Sequence, residues 1–143
     1  MNIHDLEEIE KSLKVRLPDD YKQTMLQYPF ERDSYAAECL LPDDADVVIG
    51  HNCTAPFPGK ITTADVQPFV VGGDGGEEVF FLDLNKNPSE VFVYSYETDG
   101  TEVKFRSWKD YLQEIEKSLQ EIREDERAMA ERKKNKKWWQ FWI

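Results

Sequence analysis

The stretch from Pro68 to Tyr96, PFVVGGDGGEEVFFLDLNKNPSEVFVYSY, constrains the fold more than any other part of the chain. Three short runs rich in valine and aromatic residues, 69–71, 79–84 and 91–96, are separated by clusters of turn formers. β-Branched and aromatic side chains suit a pleated, half-buried surface, and glycine, asparagine and proline punctuate it. Gly72-Gly73-Asp74-Gly75-Gly76 offers residues that reach positive φ without a steric penalty, so a tight hairpin is predicted there. Asn85-Lys86-Asn87-Pro88 predicts a second turn, and Asp99-Gly100 a third hairpin between Tyr96 and Val103. Strands joined by such short connections pair antiparallel. In the middle run, Phe80, Leu82 and Leu84 share one strongly apolar face, while Val79, Phe81 and Asp83 make the other, mixed face.

Helices flank this sheet. Ile3, Leu6, Ile9 and Leu13 recur at helical spacing and predict a helix over residues 3–14. Pro18-Asp19-Asp20 suits the first turn of a second helix, whose apolar stripe is Tyr21, Met25 and Tyr28 and which Pro29 ends. Residues 35–41 and 46–50 read as short strands, joined by a turn at Pro42, Asp43 and Asp44. Pro56, Pro58 and Gly59 predict a loop. Ser107 is an N-cap with Asp110 three residues on, and Trp108, Tyr111, Leu112, Ile115, Leu119 and Ile122 form a clear helical stripe. From Arg123 to Lys137 the chain is almost wholly charged, as in a solvated helical extension or a frayed linker. The order is α+β: N-terminal helices, a mainly antiparallel sheet and a closing C-terminal helix. One domain over residues 1–122 and a charged extension with a basic-aromatic tail over 123–143 are expected.

The segment Leu17-Pro18-Asp19-Asp20-Tyr21-Lys22 after an amphipathic helix, followed by the strand run with its glycine-rich turn, resembles the SMI1/KNR4 family, also called the SUKH superfamily. The resemblance spans roughly residues 1–118. It implies an SMI1/KNR4-like α+β fold and a non-enzymatic binding protein. Bacterial members are mostly immunity proteins that bind and neutralise a cognate toxin, often a nuclease or other toxic enzyme, and fungal members are regulatory binding proteins.

The residues themselves offer no catalytic constellation. The glycine-rich run lacks G-x-G-x-x-G between a strand and a helix, and Glu77 and Glu78 would repel phosphate. Asp83-Leu84-Asn85-Lys86-Asn87 opens like a calcium loop, but Pro88 and Tyr94 stand where glycine and glutamate belong. His51 and Cys53 lack further metal ligands at familiar spacing. No cofactor, no metal and no small-molecule substrate are expected. Cys39 and Cys53 form no CxxC and are expected as free thiols.

Charge selects among partners. The net charge is −11, yet residues 132–137 carry five bases and no acid, so residues 1–131 hold 13 bases against 29 acids. A body of net −16 would repel phosphates, which excludes non-specific nucleic-acid binding and favours a basic protein partner. Toxins acting on nucleic acid have basic grooves that an acidic surface could occupy. Asp43, Asp44, Asp46, Asp74, Glu77 and Glu78, acids at surface turns, are the candidate contacts. The charged tail is different. Lys133, Lys134, Lys136 and Lys137 precede Trp138, Trp139, Phe141 and Trp142, a combination that suits an anionic membrane surface, docking onto this chain or another copy of it, or a partner protein. The alternative function is therefore a peripheral membrane or scaffold protein anchored by this tail. The N-terminus lacks the basic start and apolar middle of a signal peptide. A cytoplasmic location is expected, with peripheral contact at the inner membrane face as the variant.

Overall fold

The computed structural model describes residues 1–54, 65–86 and 90–140, with Thr54 and residues 136–140 by backbone alone. The loop expected at Pro56, Pro58 and Gly59, the turn residues Asn87 and Pro88, and tail residues Phe141 and Trp142 lie outside them. Helix α1 runs Ile3–Leu13, α2 Asp19–Leu26 and α3 Ala45–Thr54; strands β1 Pro68–Gly73, β2 Glu78–Asp83, β3 Val91–Ser95 and β4 Gly100–Phe105 follow, and α4 spans Trp108–Gln140. The strands form one antiparallel meander in the order β1-β2-β3-β4. The fold is α+β with N-terminal helices, an antiparallel sheet and a long C-terminal helix, as the sequence indicates.

Alternation places Phe69, Val71, Phe80, Leu82, Val91 and Val93 on the inner sheet face, where they meet Leu6 and Ile9 of α1, Tyr21 and Met25 of α2, and Trp108, Tyr111 and Ile115 of α4. Tyr21 is the hub: its ring meets Phe69 edge-on at 5.2 Å and Trp108 at 5.8 Å. The outer face is apolar as well. Val70, Phe81 and Tyr94 form a second buried cluster, and Phe81 stacks on Phe92 at 5.4 Å.

Two expected strands are helical. Residues 36–40 form a π turn, closed by the Leu41 N–H donating to the Ala36 carbonyl at 2.7 Å. Residues 46–50 lie inside α3. The Val47-Val48-Ile49 run favours a strand locally, but packing overrides that preference. Asp44 decides the matter by capping α3: its Oδ1 accepts from the N–H groups of Asp46 at 2.9 Å and Val47 at 3.4 Å. Val48 and Ala45 then face the core. Asn52, one turn further, accepts from the Val70 N–H at 2.8 Å and donates to the Val70 carbonyl at 3.1 Å. One side-chain amide thus replaces a strand neighbour at the β1 edge.

Tyrosines fasten the π turn. Tyr28 donates to the Leu41 carbonyl at 2.6 Å, Tyr111 to the Leu40 carbonyl, and Tyr35 to the Asp74 carbonyl at 2.5 Å. Burial, with neighbouring charges added, raises the phenols of Tyr21, Tyr28, Tyr35 and Tyr111 above their ordinary value of 10. The hydrogen bond to Asp99, followed by burial, raises Tyr94 to about 12. Above pH 10 the unfolded chain loses these protons while the folded chain keeps them. Stability is therefore fully present below pH 10 and falls as the pH rises towards and past 12. The tyrosinate absorbance of Tyr21, Tyr28, Tyr35, Tyr94 and Tyr111 and the circular dichroism, followed together through an alkaline titration, are expected to rise and collapse in one transition. Phenolate formation at pH 10 by these five tyrosines in a still-folded chain would contradict this account.

Candidate functional site

The π turn positions the acids. Asp74 lies in the β1–β2 turn, where its Oδ1 accepts from the N–H groups of Gly76 at 2.9 Å and Glu78 at 3.0 Å. Gly75, at φ +84°, takes the left-handed conformation this turn needs. The turn leans on the π turn: a Cβ on Gly75 would lie 3.5 Å from the Cys39 Sγ, and Tyr35 holds the Asp74 carbonyl. Four residues after Cys39 comes Asp43, a span of at most about 14 Å. One short element therefore links the Asp74–Glu78 turn to the Asp43–Asp46 segment, groups some thirty residues apart in sequence, with exposed Glu38 between them. π-Helical turns are rare and recur at functional positions.

The six candidate acids differ in their duties. Asp43 meets the Met1 amino group at 2.7 Å. Asp44 caps α3 and Asp74 organises its hairpin. Glu78 pairs with Lys104 at 3.6 Å. The carboxylates of Asp46 and Glu77 are exposed and have no partner among the described residues. Four of the acids thus have partners, and two have none among the described residues.

Sequence reading missed two further members. An open cleft of about 530 Å³ beside the edge is lined by Met1, Asn2, Asp5, Arg32, Ala37, Asp43 and Asp44. Asp5 completes a reciprocal capping box with Asn2, each bond 2.9 Å, and the N-x-x-D spacing could have revealed it. Arg32 is the one side-chain cation among the described lining residues, and no local pattern marks it.

Among the described residues, no group of three His, Cys, Asp or Glu side chains could hold a metal ion. Asp83 is buried, its Oδ1 accepting from the N–H groups of Asn85 at 3.0 Å and Gln67 at 3.1 Å, so its carboxylate organises the end of β2. Cys39 and Cys53 are free thiols. No described helix is long and apolar enough to cross a membrane.

The described tail residues lie on α4. Lys133 and Lys134 are exposed on it, and the helical backbone continues through Lys136, Lys137, Trp138 and Trp139. The backbone of α4 is continuous through this basic cluster. At about 1.5 Å per residue, Lys137 stands some 20 Å beyond Arg123, which makes a 3.9 Å contact with Glu31.

No match to the chain was found among curated proteins or among solved structures. The model of the SMI1/KNR4 family (SUKH-1) matches residues 2–114, the helices, the meander and the start of α4 together, and the chain belongs to that family.

Proposed function

We propose that this protein is an immunity-type binder that occupies the basic groove of a cognate toxin with its acidic edge, and that it does so without catalysis. The family is generally non-enzymatic and known for immunity-type members. One observation carries the assignment of the surface. The π turn joins two acidic segments, and within them Asp46 and Glu77 keep unpartnered, exposed carboxylates while their neighbours fix the backbone. Free carboxylates on a fixed frame pay little ordering entropy on association. The surrounding charge of residues 1–131 steers a basic partner to them.

The working unit is residues 1–122, with 123–143 as an extension, and the protein acts in the cytoplasm. Affinity capture by the full-length chain from its native cells, at low and at high salt, tests this reading. A basic protein, recovered at low salt and lost progressively as salt rises, is the expected result. Recovery of membrane components alone would overturn it.

A further inference from the structure

From Glu124 to Asn135 every described side chain of α4 is exposed, and Met129 is 65% exposed. The helix, about 50 Å long, continues where nothing described packs against it. Its own charges support it only in part, through pairs such as Arg127 and Glu131. Glu121 and Asp125, Arg132 and Lys136, and Lys133 and Lys137 are like-charged pairs four residues apart, a spacing that destabilises a lone helix. The complement of each of these blocks lies elsewhere on the same helix.

Residues 121–126 carry four acids and one base, whereas residues 132–137 carry five bases and no acid. The two blocks lie at equal distances on either side of Met129. A two-fold axis through Met129 sets residue 129 − n of one helix level with residue 129 + n of an antiparallel partner. Glu121 then stands level with Lys137, Glu124 with Lys134, Asp125 with Lys133, Glu126 with Arg132, and Arg127 with Glu131. No like charges stand level between 121 and 137, and the small residues Ala128 and Ala130 flank the crossing point. A parallel pair would instead set every block against itself.

We propose that α4 is a self-association helix, and that two copies of this chain pair antiparallel about Met129. The same register sets Trp138 and Trp139 of one copy level with Gln120 and Leu119 of the other. Leu119 lines a groove of about 330 Å³ with Phe30 and Leu112, rimmed by Glu31, Glu116, Lys109 and Arg123. The backbone of the Trp138–Trp139 end of each helix comes level with the groove at the base of its partner's helix, a place the continuous backbone does not approach on its own chain. Isologous closure of this kind ends at a dimer.

Sedimentation of the full-length chain across a range of concentrations tests the proposal. The wild-type chain is expected to dimerise at low salt and to weaken as salt rises. An acidic variant, Lys133→Glu with Lys134→Glu, Lys136→Glu and Lys137→Glu, is expected to lose self-association by roughly a hundredfold or more, since like blocks then face each other. A basic variant, Glu121→Lys with Glu124→Lys, Asp125→Lys and Glu126→Lys, is expected to do the same. Mixed in equal amounts, the two variants restore complementarity at both ends and are expected to form a one-to-one heterodimer. Their circular dichroism and mixed association together exclude misfolding as the cause of loss. A wild-type chain that stays monomeric at low salt would overturn the proposal, all the more if it pellets with phosphatidylserine-containing vesicles. So would folded variants that fail to associate when mixed.

Discussion

Replacing Gly72 by alanine is expected to lower stability by about 3–5 kcal/mol, a large share of the margin of an ordinary domain. The new Cβ would lie 1.9 Å from the Leu40 carbonyl oxygen, 2.4 Å from its carbon and 2.8 Å from the Cys39 oxygen. All three are backbone atoms of the π turn, so no side chain can swing aside. Nor can the turn retreat, because Tyr111 holds the Leu40 carbonyl and Tyr28 holds that of Leu41. Relief requires β1 to leave the π turn, which loosens the hairpin carrying Asp74. Gly50→Ala is the control: nothing lies within 4 Å of a Cβ there, and alanine in a helix interior gains up to about 1 kcal/mol over glycine. Urea denaturation of the two variants beside the wild type reads both effects. A Gly72→Ala midpoint equal to that of the wild type would remove the close contact on which the acidic edge is built.

The second large effect falls on binding rather than stability. Asp46→Lys combined with Glu77→Lys is expected to weaken capture of the basic partner by roughly a hundredfold at low salt, while leaving the fold intact. Neither carboxylate has a partner among the described residues, and Asp46 contributes its favourable place in the first turn of α3, about 0.5 kcal/mol. The other acids are unsuitable for this purpose. Changing Asp44 would uncap α3, and changing Asp74 would undo the hairpin. Loss of binding in those variants would report a damaged frame. Equal capture by the double variant and the wild type, measured at the same salt, would remove the acidic edge from the interface.

The sheet and the flanking helices were legible because their signals are local. Alternation in 79–84, Asp99-Gly100, and the stripe from Trp108 to Ile122 each specify an element within a few residues. Gly75 takes the positive φ expected of the glycine-rich turn. Gly72 is there for another reason, its approach to Leu40 more than thirty residues away, and no window along the chain contains that contact. The same limit explains residues 35–41 and 46–50. Their helical states depend on Tyr28, Tyr35 and Tyr111 reaching in from elsewhere, and on Asp44 acting as a cap where the sequence suggested only a turn. For the candidate site, charge density selected acids at surface turns. It did not separate Asp46 and Glu77, which are free, from four acids that have structural work. That division appears only when their partners are placed in space.

The central claim is that this protein neutralises a toxin by binding it. The most direct measurement titrates the activity of the captured basic partner against increasing amounts of the full-length protein. A linear fall to an end point set by a fixed stoichiometry, reversed by high salt, is expected of a binder that fills the partner's groove. Complete inactivation by a small fraction of an equivalent would reveal catalysis, and undiminished activity at saturation would show that the edge binds without neutralising. Either result would contradict the claim.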